Sequence, residues 1–406
     1  MNTQQSGFKR VVIFLISIAV VSIPAMAHAD WSIIGLSTLG ETSSTAQGIN
    51  DSGQIVGNTS SASGDNRAFI TGPNGVGMTD LGTLGGTSSG ANAINDSGQV
   101  VGKSQIAGDS ATHVFITGPD GVGMTDLVGT FGEANTAIQG MNDSGQIVGF
   151  SIGADFNFLA FKTGPNGVGA TDLPTTIGGI QSVANAINAS GQVVGAQEFD
   201  RSQLAARAFI TGPDGVGMTD LGTLGGPTSS AFDINNSGQV VGRADAVGGD
   251  SHPYITGPNG VGMTDLGTLG GTLGFATDIN DAGEAAGFAS TTNNSETHAF
   301  IFSHGGITDL SLLDVVIAGE WTNLTIRDIN NSGQMVGFGT NSQGNQEAFL
   351  LSYTPDTVFD PKPIYIPPVP EPETYAMLLA GLGLLGFVAR RRKVGSETNE
   401  LSTEKS

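Results

Sequence analysis

The sequence predicts an all-β fold, a seven-bladed β-propeller built from seven repeats of about 46 residues with four short strands each, closed by the N-terminal strand. Three observations predict it. The decapeptide AINDSGQVVG at 93–102 recurs along the chain with small changes. Its first asparagine marks each copy, at Asn50, Asn95, Asn142, Asn188, Asn235, Asn280 and Asn330, so the copies lie 45 to 50 residues apart and fill the chain from 31 to about 355. Finally, the strand that carries Ala-Phe in five units, Val114-Phe115 in one and Pro253-Tyr254 in another occurs seven times, whereas the strand that follows it, GMTDLG or a close variant, occurs six times. The segment from Trp31 to Gly40 aligns with the missing copy, so the first strand completes the last unit. The alternative architecture is a β-solenoid repeat stack, which would use shorter rungs and distinct end caps.

Within a unit, the turns are set by local chemistry. In Asn95-Asp96-Ser97-Gly98 the polar side chains can bond their own backbone, and glycine takes the positive φ that closes the turn. In Gly118-Pro119-Asp120-Gly121 the proline presets φ and glycine closes a second turn. Short runs such as Gln99-Val100-Val101, His113-Val114-Phe115-Ile116 and Met124-Thr125-Asp126-Leu127 are the strands between them. Abundant alanine and glycine suit sheets that crowd together near an axis.

The two ends have different chemistry. Lys9 and Arg10, an apolar run from Val11 to Ile23, Pro24 and Ala27-His28-Ala29 form a secretory signal peptide over 1–29. The repeat domain then covers 30–355. A proline-rich spacer with the sorting motif covers 356–374, and the apolar stretch 375–389 is expected to be a transmembrane helix. Residues 390–406 hold the basic stop-transfer cluster Arg390, Arg391, Arg392 and Lys393, followed by a polar cytoplasmic tail.

Val369-Pro370-Glu371-Pro372, the apolar stretch and the basic cluster together resemble the PEP-CTERM sorting signal of exopolysaccharide-producing Gram-negative bacteria. The resemblance implies export through the inner membrane as a membrane-anchored precursor. An exosortase-type enzyme would then recognise Pro370-Glu371-Pro372 and pass the protein to the cell surface or the medium. The polar tail from Val394 to Ser406 is longer than such signals usually carry. The repeats resemble an extracellular family named for its His-Ala-Phe tripeptide. His298-Ala299-Phe300 is the literal copy, and Arg67-Ala68-Phe69, Arg207-Ala208-Phe209 and Glu347-Ala348-Phe349 are partial ones. That resemblance implies an extracellular protein and assigns no catalytic residue.

Composition narrows the function classes. From Trp31 to Pro355 there are 29 acidic and 7 basic residues, a balance that repels nucleic acid and anionic headgroups. The absence of cysteine removes disulfides, thiolate nucleophiles and cysteine metal sites. No His-Glu-x-x-His, Gly-x-Ser-x-Gly or phosphate-loop pattern occurs, and no catalytic residue is assigned. No cofactor or metal is expected. The alternative reading of the turns is a calcium ion at Asp96 and Asp126, but the loop lacks the carboxylate spacing of a calcium loop. The candidate binding residues are aromatics where the units depart from their consensus: Phe156, Phe158, Phe161, Phe199 and Trp321, the last within the insertion 311–327.

The expected function is that of an exported structural or interaction protein of the cell surface or matrix. Its expected partners are an exosortase-type enzyme and an exopolysaccharide or surface protein. The alternative is a polysaccharide-active hydrolase or lyase on the same scaffold.

Overall fold

Each Asn-Asp-Ser-Gly turn joins two antiparallel strands, as between Gly85–Ile94 and Val100–Ile106. Gly98 closes this turn at a φ of 75°, and a Cβ there would lie 2.7 Å from the Asp120 backbone nitrogen. Gly102, which ends the decapeptide, is needed for space: a Cβ on it would lie 2.1 Å from the carbonyl oxygen of Gly90 on the paired strand. The third strand of this unit, Thr112–Thr117, leads through the Pro119–Gly121 turn to a short fourth, Met124–Asp126.

The computed structural model describes residues 30–131, 136–153, 157–174, 179–199 and 206–354. The chain divides into Met1–Pro361 and Lys362–Ser406, and every described residue belongs to the first unit. The expected signal peptide, spacer, sorting motif, apolar helix, basic cluster and tail lie outside the described residues, as does Phe156.

Hydrogen bonding gives a five-bladed β-propeller plus a mixed eight-stranded sheet. This corrects the expectation of seven separate four-stranded blades of about 46 residues, and equally the alternative of a solenoid stack. The physical cause is a parallel bridge from Ser251 to Leu273, which fuses the strands between Gly225 and Asp309 into one sheet. No sheet closes on itself. One of the five blades takes its outer strand from the start of the chain. There Asp30–Gly35 pairs antiparallel with Gln346–Thr354, Asp30 lying opposite Thr354.

The expectation of a transmembrane helix is also corrected. Among the described residues no helix is long and apolar enough to cross a membrane. The described α-helices are the short turns Val128–Phe131 and Asp314–Ala318.

Packing between neighbouring sheets forms the core. Phe69, Phe115, Phe161, Phe209, Tyr254, Phe300 and Phe349 take equivalent places, each fully or almost fully buried. Burying one such ring contributes roughly 1.5–3 kcal/mol. The cluster of Ala46, Ile49, Ile55 and Phe69 with Val336, Ala348 and Leu350 joins residues from the two ends of the described chain.

A β-bulge interrupts the innermost strand of every unit, two or three residues before the turn. The register shifts between Ala46 and Gly48, Ala91 and Ala93, Ile138 and Gly140, and Ala184 and Ala186. It shifts likewise between Ala231 and Asp233, Ala276 and Asp278, and Ile326 and Asp328. A bulge leaves one residue unpaired and turns its side chain out of the pleat.

Candidate functional site: a polar channel at the centre

The repeated asparagines converge. Asn50 donates from its side-chain amide to the Asn95 carbonyl at 3.1 Å, and Asn95 to that of Asn142 at 3.3 Å. The pattern continues through Asn188, Asn235, Asn280 and Asn330, and Asn330 returns to Asn50. Seven buried asparagines thus form a closed ring of hydrogen bonds. Each amide oxygen also accepts the backbone N–H four residues on, as Asn95 accepts from Gln99 at 3.0 Å. These residues hold the turns and join neighbouring units. Gln54 and Gln99 extend the joining outwards, donating to Asp120 and Asn166 of the following unit.

On one side of the ring, the residue after each asparagine forms an exposed rim. Asp96 accepts from the Asp51 N–H at 2.9 Å, and Asp143 from the Asp96 N–H at 3.1 Å. The series breaks at Ala189, which has no side-chain acceptor to offer. Burial pushes the Asp96 carboxyl up, opposed by its hydrogen bond from Asp51 and reinforced by the charges of Asp51, Asp143 and Asp281. Rim and ring together line a polar cavity of about 200 Å³.

Behind the ring lie three carboxyl groups that the repeat does not predict. Asp233, Asp278 and Asp328 stand two residues before their asparagines, where the other units carry Gly48, Ala93, Gly140 and Ala186. Asp328 accepts from the Ile49 N–H at 2.8 Å, Asp233 from the Ile279 N–H at 3.0 Å, and Asp278 from the Ile329 N–H. The charges of Asp233 and Asp328 both act on Asp278. Carboxyl groups this close repel one another when all are charged, which favours a proton on the Asp278 carboxyl. Burial, then the charges of Asp328 and Asp233, push the Asp278 carboxyl well above its ordinary range. Burial also raises Asp328, against the hydrogen bonds it receives. Among the described residues no group of three or more His, Asp or Glu is arranged to hold a metal ion.

The seven bulged residues are Gln47, Asn92, Gln139, Asn185, Phe232, Thr277 and Arg327, and all of them line one well of about 210 Å³. The acidic triad forms part of its wall.

Other residues singled out in the sequence have different places. Asp126 caps a turn, accepting from the Val128 N–H at 2.8 Å, and its second oxygen meets His113 Nδ1 at 2.8 Å. Asp96, on the rim, has different partners. His252 and His298 pair with Asp265 and Asp309 in the same way as His113 with Asp126, and Arg67 with Asp80. Thus the first residue of the His-Ala-Phe tripeptide, where it is His or Arg, pairs with the aspartate that closes its own unit.

The candidate aromatics are not brought together. Phe161 is core, with its ring 5.1 Å from that of Phe131. Phe158 meets Phe150 at 5.0 Å, and Phe199 is half-buried. Trp321 meets the edge of Phe349 at 5.8 Å and packs in the same cluster as Trp31. The insertion around it also buries Val316 and Leu324, and Leu310 just before it is buried too.

Sequence reasoning missed the triad. Its signal was present: Asp-Ile-Asn in three consecutive units, against Gly or Ala before Ile-Asn or Met-Asn in the rest.

Residues 368–393 match the PEP-CTERM protein-sorting motif. A signal of this kind implies export out of the cytoplasm and processing by an exosortase-family enzyme. No curated protein matches the sequence. Among solved structures, the chain is similar to an oligogalacturonate lyase in complex with manganese, at 10% identity and a TM-score of 0.51, covering 80% of this chain and 91% of that one. It is similar also to an oligogalacturonate lyase from Vibrio parahaemolyticus, at 10% identity and a TM-score of 0.52, covering 80% and 97%. At such identity the likeness shows a shared β-propeller fold.

Proposed function

We propose that the protein is an exported interaction protein of the cell surface or extracellular matrix. It would be released there after exosortase cleavage near Pro370-Glu371-Pro372, with His-Ala-Phe-type repeats as its rigid body. The sorting motif carries this reading. The interior supports it: the repeated polar groups are engaged in holding the units together, from the asparagine ring to the His–Asp and Arg–Asp pairs. Such a scaffold presents a rigid acidic surface, suited to many weak contacts in a matrix.

Fractionation of a producing strain tests it. A shortened form is expected at the surface or in the medium, and an uncleaved form in the membrane when the exosortase gene is deleted. Uncleaved protein in the cytoplasm of the unmodified strain would refute the reading. One observation favours a second reading as a polysaccharide-active hydrolase or lyase: the triad places three carboxyl groups in one well, with that of Asp278 held well above its ordinary range. Product formation from matrix glycans, lost in Asp278→Asn, would support that reading over the first.

A further inference from the structure

In the well behind the asparagine ring, each unit contributes the side chain of its bulge residue to a common lining. The bulge residue and its successor read Gln47-Gly48, Asn92-Ala93, Gln139-Gly140 and Asn185-Ala186 in four consecutive units. In the next three they read Phe232-Asp233, Thr277-Asp278 and Arg327-Asp328. The order of the units therefore divides the wall, with amides on one side and acids, arginine and phenylalanine on the other.

Several of these groups are free to meet a ligand. Asn92 and Asn185 are engaged, donating to the carbonyls of Ile138 and Ala231. Gln47 and Gln139 hold no hydrogen bond among the described residues, and Gln139 is exposed. Arg327 stands over the Phe338 ring at 5.4 Å and forms no ion pair among the described residues. Phe232 is half-buried, its ring 6.1 Å from that of Phe275.

We propose that this well binds one hexose-sized sugar unit, neutral or amino-substituted, at the end of a glycan. The proposal rests on the reading of the protein as a matrix interaction protein and names the ligand class of its central site. Amides both donate to and accept from hydroxyl groups, arginine donates, and carboxyl groups accept, while an aromatic ring supplies an apolar contact. The cavity of about 210 Å³ has the volume of roughly seven waters, which suits one sugar ring and not a long chain. Carboxyl groups outnumber guanidinium groups three to one on this wall, and a carboxyl is neutral or negative but never positive, so uronates, sulfates and phosphates are disfavoured.

Titration calorimetry of the full-length protein with glucose, galactose, glucosamine, N-acetylglucosamine, glucuronate and spermidine tests this. At least one neutral or amino sugar is expected to bind, with glucuronate about tenfold weaker or more. Gln139→Trp, which fills the well without removing a hydrogen bond, should weaken that binding by about tenfold or more at an unchanged melting temperature. Gln47→Trp replaces it if the first variant does not fold. Absence of sugar binding, preference for glucuronate, binding of spermidine alone, or affinity unchanged in the folded tryptophan variant would overturn the proposal. Correct export without sugar binding would defeat the ligand assignment alone, whereas cytoplasmic retention would defeat the localisation reading on its own.

Discussion

The side-chain amide of Asn330 donates to the backbone carbonyl of Asn50, 280 positions away in the chain, at 3.0 Å. The same amide donates to Gln334 Oε1, and its oxygen accepts from the Gln334 N–H. Asparagine is required here because the site needs two donors and an acceptor on one short side chain. Asn330→Asp removes both donors and sets a charge against a buried carbonyl. A loss of about 3 kcal/mol is expected in urea denaturation. A loss below about 1 kcal/mol would show that the ring adds little to stability.

Tyr254 stands where six other units place phenylalanine, and its hydroxyl is buried with no partner among the described residues. An unpaired buried hydroxyl is costly, so Tyr254→Phe should stabilise by about 1 kcal/mol and raise the melting temperature. A lower melting temperature would contradict this.

The acidic triad makes stability depend on pH with a definite sign. The folded Asp278 carboxyl binds its proton more tightly than the ordinary value of 3.8 allows. Its contribution is therefore fully present below that value and is lost as pH rises through the folded value. Asp278→Asn removes the titrating group and keeps an acceptor for the Ile329 N–H. As pH rises from about 4 to 8, the parent protein should lose stability relative to this variant. Parallel urea midpoints across that range would refute a raised Asp278 carboxyl.

His298 has the opposite chemistry and a similar trend. Withdrawal from water opposes its charge, but Asp309 and Glu296 outweigh this and hold its pKa above 6.5. The stabilisation is full below the ordinary value and disappears as pH rises through the folded one. His298→Gln should cost roughly 1 kcal/mol near pH 6 and clearly less near pH 9. An equal cost at both would mean that the imidazole acts here only as a neutral hydrogen-bonding group.

What was legible in the sequence was mostly local. The Asn-Asp-Ser-Gly and Gly-Pro-Asp-Gly turns are visible because backbone bonding and positive φ demand particular residues within four positions. The extra strand at Trp31 was visible as a surplus at one end and a deficit at the other. The sheet count was not, because it turns on a single bridge between Ser251 and Leu273, which no residue type announces. The bulges were hidden for a similar reason, since Gln47, Thr277 and Arg327 share a backbone geometry and no side-chain chemistry. The triad was legible as Asp-Ile-Asn in three units, but those aspartates stand upstream of the repeated turn, where the other units carry Gly or Ala. Phe161 and Trp321 looked like surface features because they break the repeat, yet the break is filled by packing.

The pairing of Asp30 with Thr354 has a mechanical meaning. The two ends of the described chain leave the sheet side by side, at the same end of one antiparallel ladder. Opposed tension on those ends would part the six pairs in succession, as a zipper opens, instead of shearing them all together. Tension on one end alone would pass little force through the remaining sheets. A body fastened this way rides as a pendant on whatever strand it is tied to, and it yields first at its own clasp.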